Sequence, residues 1–584
     1  MRERWVLETK KADFNRLSEK LNVPPLIVRC MVNRGITQEE EMREYLYGTL
    51  DNLPDPFLMK DMETAVKFIL QAIKEKWKIA IASDFDCDGI FSGYILWKGL
   101  TKLGLDCRIY TPDRVQEGYG LNERIVDEAA EANRQLLITC DNGIAACKEV
   151  LYAKEKGLTV IVTDHHEVQE QMPQADAVLD PKREDETYPF SGLCGGGVAF
   201  KFICALYDTQ GLDVAAKWEL LEYTAIATVA DVMELRGENR ILVKYGLQAL
   251  AKTKNKGLQA LLEVQGLSEK KITAGHIGFI LGPCFNAAGR IATVWDSFSL
   301  LMEQDDKKAR KKAERLKAIN EERKSMTEKG ANKAFALIDP QKLEDVIVLF
   351  LPDIHESLVG IIAGRVKERT GHPVLIFTRT EDGLAKGSGR SIESYHMFHE
   401  LMKCKDLMIH FGGHQMAAGM TIQEKDIPIL AQRLNKQSKL VEEDFVPVVY
   451  IDAPMPIGFA TKKLLESFEY MEPFGVGNPR PIFAEQHFRI DRGWRLGKEK
   501  NVLKLRVENE IGSCCDALLF QRVDEFESFV CRYWGKKELE RMYEGRENDI
   551  DVAFTYYPEM NEYQGKQSIQ IHIVGFCHVD RKEK

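Results

Sequence analysis

The sequence lacks the features that staple secreted or metal-ribbon folds. Its 13 cysteines are an odd number, and no two of them form a C-x-x-C pair. That excludes a zinc ribbon or a thioredoxin-like redox motif, and thiols set in apolar runs, such as Cys140, Cys204 and Cys284, read as reduced core residues. No apolar run reaches the roughly 18 residues a membrane helix needs, and residues 1–10 (MRERWVLETK) contain no apolar leader core. Low-complexity tracts are missing as well. The expectation is a cytoplasmic globular chain without membrane attachment. Positive charge is also in deficit, with 80 Lys and Arg against 90 Asp and Glu, a formal charge of −10. Nucleic-acid binding depends on local clusters of cations, so this deficit excludes nothing.

What the chain has is length and concentrated acid. Its 584 residues exceed one hydrophobic core and imply about three to five domains. Residues 78–96 read KIAIASDFDCDGIFSGYIL: an apolar run fit for a buried strand, then Asp84, Asp86 and Asp88 at alternate positions, Gly89, and an apolar segment with helical spacing. Three like charges within five residues repel one another unless a cation sits among them. A calcium-binding EF-hand loop begins D-x-D-x-D-G too, but it needs Glu at its twelfth position, where this chain has Ile95.

The surrounding pattern alternates. Helices are predicted over 65–74 and 90–103 and strands over 79–82 and 106–110, as in a parallel sheet with helices on its faces. Sites in such sheets form at the carboxyl ends of strands. Two more strand ends carry ligand-type residues: an apolar run over 136–140 leads into Asp141-Asn142-Gly143, and one over 158–163 leads into Asp164-His165-His166-Glu167. Asp231 follows a helix-like apolar run over 223–230. Taken singly, Asp141-Asn142-Gly143 is a good turn and the His pair a surface corner. Together they point to an oxygen-rich site that suits octahedral Mn2+ or Mg2+ better than tetrahedral zinc. So many acids exceed the needs of one ion. Two ions about 4 Å apart, bridged by an aspartate, would serve hydrolytic phosphoryl chemistry.

These motifs, in this order, resemble the DHH phosphoesterase superfamily and, within it, the bacterial single-strand-specific exonucleases. The resemblance runs on through TPDRVQEGYG (111–120), GPCFNAAGR (282–290), HESLVGIIAGR (355–365), SGRS (388–391), HFGGHQMAAG (410–419) and PFGVGNP (473–479). It implies that Asp84, Asp86, Asp88, Asp141, His165 and Asp231 surround two Mn2+ or Mg2+ ions, with Asp141 as the bridge. Asp164 would orient a ligand, and His166 would face the scissile phosphate. Arg114, Arg290, Ser388, Arg390, Gly412, Gly413 and His414 would hold the nucleic acid or its 5′-terminal phosphate. The chain departs from related phosphatases in offering Ala82 where they place a His, so the share of Asp84, Asp86 and Asp88 in direct ligation stays open.

The implied architecture is α/β. A helical arm (1–60), expected to pack on the main domain, precedes a parallel-sheet DHH domain (61–300). A connecting helix (301–337) leads to a smaller α/β DHH-associated domain (338–442) and then to an OB-fold barrel (443–584). The charged stretch 304–333 reads as a solvated spacer helix. Short alternating strands after 446 suggest the barrel, with Trp494, Arg495, Lys498, Lys500 and Lys504 as a face for single strands. The implied activity is 5′ to 3′ hydrolysis of single-stranded DNA by a monomer, in recombination and repair. A helicase or a single-strand-binding protein is the candidate partner. The alternative is a superfamily phosphodiesterase acting on short oligonucleotides or cyclic dinucleotides.

Overall fold

The apolar run before the aspartate triplet folds as the strand Lys78–Ser83, buried along five of its six residues. In this computed structural model, which describes residues 3–114, 117–169, 171–497, 499–563 and 565–579, that strand lies inside a five-stranded parallel sheet. Asp106–Tyr110 flanks it on one side and Leu136–Cys140 on the other, followed by Thr159–Thr163 and Ala177–Leu179. Both faces are covered, which is why the strands read as unbroken apolar runs. Ile79, Ile81, Leu136, Ile138 and Ile161 join the core of the helices Met62–Glu75, Cys87–Lys102 and Gly195–Thr209. Ala80, Ala82, Leu137, Val160 and Val162 meet the helices Glu123–Glu131 and Cys147–Glu155 on the other face. In chain order the strands lie 2-1-3-4-5, so the winding reverses between Lys78–Ser83 and Leu136–Cys140. At such a reversal the loops leaving two neighbouring strands part and open a crevice.

The helix Asp306–Ala336 is 31 residues long, about 45 Å. It is not the solvated spacer that its charge suggests. Ala309, Ala313, Leu316, Ile319, Asn320, Thr327, Gly330 and Ala334 form a buried stripe, most of them three or four residues apart. Small side chains make that stripe inconspicuous among lysines, and they let another helix come close: a Cβ on Gly330 would lie 2.4 Å from Ile362 Cδ1 of the helix Val359–Thr370. Beyond it stands a second five-stranded sheet. Ile347–Phe350 and Val374–Arg379 are parallel, and Leu384–Arg390, Ala417–Gln423 and Met408–Gly413 extend it antiparallel.

Two compact units emerge, Thr49–Phe445 and a second that joins Met1–Gly48 to Val446–Lys584. The amino-terminal helices thus share a core with the barrel instead of packing on the main domain as expected. A strand the sequence reading missed, Arg4–Leu7, pairs in parallel with Val448–Ile451, and Ile27, Met31 and Met42 fall in one apolar cluster with Phe483, Leu505 and Phe554. The barrel strands Phe483–Leu496, Val502–Asn509, Cys514–Phe520, Asp551–Tyr563 and Lys566–Cys577 pair in the order 1-2-3-5-4, and the first closes on the fourth. This is the closed OB topology. Among the described residues no helix is long and apolar enough to cross a membrane.

One buried ion pair anchors the main unit. Lys201 Nζ, on the helix Gly195–Thr209, lies 2.7 Å from Glu238 Oε1, with side chains 2% and 1% exposed. The Tyr188 hydroxyl donates to the same carboxylate and Lys201 donates to the carbonyl of Pro54. Lys201→Met leaves Glu238 buried without its cation and is expected to destabilise the unit by about 3–5 kcal/mol, while adding Glu238→Gln restores part of that loss. Denaturant unfolding of the three proteins tests this, and a neutral single variant contradicts it.

Candidate active site

The acids gather where the winding reverses. Asp84 ends the strand Lys78–Ser83, Asp141 follows Leu136–Cys140 and Asp164 follows Thr159–Thr163. Asp86 caps the helix Cys87–Lys102 by accepting from the Gly89 amide at 3.0 Å, and Asp88 lies in its first turn. Asp231 comes off the end of the helix Leu221–Ala230. One side-chain oxygen from each of Asp84, Asp86 and Asp141 lies within 4.8 Å of the others, and so do single ligand atoms of Asp88, His165 and Asp231. His165 Nε2 links the two groups, 3.1 Å from Asp141 Oδ1, 3.6 Å from Asp88 Oδ2 and 3.7 Å from Asp231 Oδ2.

The charges are in conflict. Burial first, then the neighbouring carboxylates, pushes Asp84, Asp86 and Asp141 above the ordinary range and lifts Asp231 to about 9. Burial lowers the pKa of His165, so its imidazole stays neutral and offers a lone pair. Asp84 Oδ1 is buried without a hydrogen-bond partner. Neutral imidazole, crowded carboxylates and an orphaned oxygen are the donor set that a hard divalent cation satisfies.

Asp141 is the most constrained of the group. Its backbone adopts φ 59°, a left-handed turn that Asp tolerates, and Asn142 spans the crevice by donating to the carbonyls of Ala82 and Cys140. Ala82 therefore supplies a backbone tie at the place where related phosphatases have a ligand. Asp164 takes amide protons from Ile144, His165 and His166 and holds His166 Nδ1 at 2.8 Å, so it orients His166 and also ties down the backbone of His165, a member of the acid cluster. Burial alone would raise its pKa, but these bonds outweigh that and hold it low. His166 shows the opposite balance: burial opposes its proton, yet Asp164 prevails and raises its pKa.

Residues that the motifs did not single out finish the site. The Gly195 and Gly196 amides, opening the helix Gly195–Thr209, donate to Asp88 Oδ2 and Oδ1 at 2.7 and 2.8 Å. A Cβ on Gly195 would sit 2.7 Å from the Asp141 Cβ, so only glycine lets that helix end approach. The Gly195-Gly196-Gly197 run was the available signal. Tyr119 donates to the Asp141 carbonyl and lies 3.3 Å from His166 Nδ1.

Arginines border the acids. Arg114 stacks 4.5 Å over Phe85, and both Arg114 and Arg290 feel the charge of Asp86. Arg290 donates to the Ser357 carbonyl at 2.6 Å while the Ser357 hydroxyl donates back to the Arg290 carbonyl. Burial, then Arg114 and Arg323, drops Arg290 to about 9. Arg323, from the long helix, was missed because it lay among charges read as solvated. Arg390 donates to Ser388 Oγ at 3.0 Å, and a Cβ on Gly360 would lie 2.8 Å from its Nη2. Among the described residues Arg114, Arg290, Arg323 and Arg390 make no ion pair, and such a group is a ready anion pocket. The hydroxyl of Ser391 is buried and bonds to the Tyr395 carbonyl. Gly412 and Gly413 end the strand Met408–Gly413, where Gly412 pairs with Gly419, itself paired with Ser388, and the His414 amide donates to the Ala417 carbonyl.

The DHH family, N-terminal domain, matches residues 78–228, the DHHA1 domain 344–443, and the RecJ OB domain 451–575. The single-stranded-DNA-specific exonuclease RecJ of Salmonella typhimurium is 33% identical, over 98% of this chain and 99% of its own length. The chain belongs to the RecJ family. RecJ of Bacillus subtilis is 36% identical over 90% of this chain and 67% of its own length. The crystal structure of RecJ in complex with Mn2+ from Thermus thermophilus superposes with a TM-score of 0.82 at 26% identity, covering 99% of this chain and 80% of that one. The α/β class with DHH, DHHA1 and OB parts is thereby the RecJ architecture.

The raised Asp231 has a consequence for stability. The folded chain keeps a proton there up to about pH 9, whereas the unfolded chain releases it near pH 4. Stability in chelator therefore falls as the pH rises through that window. Asp231→Asn removes the loss, so at about pH 8 the variant should melt a few degrees higher than the parent, with the gap narrowing towards about pH 5. A variant that melts lower at pH 8 contradicts the crowding.

Proposed function

We propose that the chain is a single-stranded-DNA exonuclease that hydrolyses phosphodiester bonds from the 5′ end with two divalent cations, Mn2+ or Mg2+. The observation that carries this reading is the adjacency of the two clusters: Arg114 and Arg290 feel the charge of Asp86, so an anion gripped by the arginines lies next to the acids. A terminal phosphate held there leaves the following bond beside the metal ligands, which favours removal of short pieces from an end over internal cutting. Asp84, Asp86 and Asp141 would hold one ion and Asp88, His165 and Asp231 the other, with Asp141 common to both. When bound, such ions neutralise the gathered carboxylates, activate water and offset charge on the phosphoryl oxygens.

The chain's own groups do the rest. The Gly195 and Gly196 amides and Ser92 fix Asp88, and Asn142 fixes the turn carrying Asp141. His166, its proton held by Asp164 and its side chain 46% exposed, is placed to protonate a leaving oxygen. Arg390 and Ser388 position phosphate. The direction of attack follows the superfamily resemblance, as do a role in recombination and repair, a cytoplasmic location and a helicase or single-strand-binding protein as partner.

End-labelled single strands, with and without a 5′ phosphate, test the reading. Mn2+ should restore cleavage after chelation, and label at the 5′ end should be released first. Asp141→Ala should lower the rate on the order of 10³-fold with strand binding kept. Arg390→Ala should weaken binding roughly ten- to a hundredfold and flatten its salt dependence. Release from the 3′ end, or a preference for cyclic dinucleotides, would refute the assignment.

A further inference from the structure

The cations expected on the barrel are partly engaged: Arg495 is tied to Asp524 and Glu527 at 2.8 and 2.7 Å, and Lys498 lies outside the described residues. A cation beside the acid cluster is held more loosely. The strand Ala177–Leu179 pairs in parallel with Thr159–Thr163, and the Asp164 amide donates to the Leu179 carbonyl at 3.0 Å. The residues after Leu179 therefore leave the sheet beside Asp164, His165 and His166. Asp180, fully buried, takes the Lys182 amide on Oδ1 at 2.8 Å and fixes the backbone there. The charge of Lys182 acts on Asp231, His165 and His166. Its own partner is Glu167 at 3.4 Å, with side chains 27% and 67% exposed. Exposed pairs of this kind stabilise little and exchange readily.

Cations thus border the acids at two ends, Arg114 and Arg290 towards Asp86 and Lys182 towards Asp231. The Asp231 end also presents apolar groups to solvent. Val232, just past the cap of the helix Leu221–Ala230, adopts φ 61° where glycine is usual and is 64% exposed. Phe279, 82% exposed, is the most exposed large apolar side chain among the described residues. It rides on a π-helical turn, Ile277–Leu281, that packs on the end of the same helix: a Cβ on Gly278 would lie 3.8 Å from Val229 Cγ1, and one on Gly282 3.2 Å from Ala230 Cβ. A left-handed valine and a solvent-facing phenylalanine cost stability and fill no core, and such strain and π turns gather at functional sites. A loosely paired cation beside exposed apolar groups suits a nucleotide, phosphate to the one and base to the other. Inorganic polyphosphate would leave the apolar pair without a role.

We propose that the Asp231 side of the metal ligands is a subsite for the third nucleotide of the substrate, which sets the shortest strand the enzyme uses well. Lys182 leaves Glu167 for the phosphate that follows the scissile one, and Phe279 with Val232 supports the base beyond it. Three consecutive phosphates are then held, the terminal one by the arginines, the scissile one at the metal ligands and the next by Lys182. A dinucleotide offers only the first two. The inference rests on the exonuclease reading and deepens it, and binding measured without metal tells failure of one from failure of the other.

Hydrolysis of pTpTpT and pTpT by the full chain with Mn2+ tests the subsite. The parent should show a kcat/KM about tenfold higher on pTpTpT, as one charge-assisted phosphate contact implies. In Lys182→Met that ratio should collapse to about one, and Lys182→Arg should keep it. Phe279→Ala should lower kcat/KM on pTpTpT about fivefold, and an abasic unit in place of the third thymidine should cost the parent the same factor and the variant nothing. A parent ratio near one, or a ratio unchanged in Lys182→Met however far both rates fall, would overturn the proposal and leave Lys182 as a counter-ion of Asp231. If the parent cleaves neither strand, displacement of a labelled oligothymidylate in chelator decides. There pTpTpT should compete about tenfold better than pTpT in the parent and equally in Lys182→Met, a result that counts against the exonuclease reading alone, while equal competition in the parent overturns the subsite.

Discussion

Carboxylates buried side by side repel one another, and the folded chain is arranged to tolerate that repulsion at one place. Four segments bring Asp84, Asp86, Asp88, Asp141 and Asp231 together around His165, and burial with mutual repulsion raises the proton affinity of Asp84, Asp86, Asp141 and Asp231. Backbone donors restrain the geometry without adding charge: the amides of Gly195 and Gly196 on Asp88, that of Gly89 on Asp86, and those of Ile144 and His165 on Asp164. These dipoles hold the acids in place but do not neutralise them. Cations must complete the site.

Much of this was legible in the residues. Strand ends carrying acids are conspicuous because a parallel sheet buries both faces and leaves polar residues only where strands stop. The order of the sheet then brought the ends at Asp84 and Asp141 side by side. What the sequence concealed has equally physical causes. The gripping of Asp88 is made by backbone amides, which have no letter code, and only the glycine run hinted that a helix end approaches closely. Asp164 was expected to orient a ligand; that it grips the His165 amide and also the His166 ring is a matter of direction that spacing cannot carry. The long helix misled because its buried stripe is mostly Ala, Gly and Thr, whose hydropathy is faint beside so many lysines and glutamates.

The second unit shows the same limit at larger scale. The strand Arg4–Leu7 finds its partner more than 400 residues away at Val448–Ile451, a pairing no local pattern announces. The barrel strands alternated visibly, yet which cations stayed free depended on partners in other elements: Asp524 and Glu527 take Arg495. Electrostatic availability is a tertiary property, and candidate cations read from sequence are only a superset.

The central claim is that two cations, sharing Asp141, make the acid cluster tenable. Titration of the chelated chain with Mn2+, followed by calorimetry and by electron paramagnetic resonance, tests it most directly. The account predicts two ions per chain with the exchange-coupled spectrum of a bridged pair. A single site, or two magnetically independent ions, would contradict it.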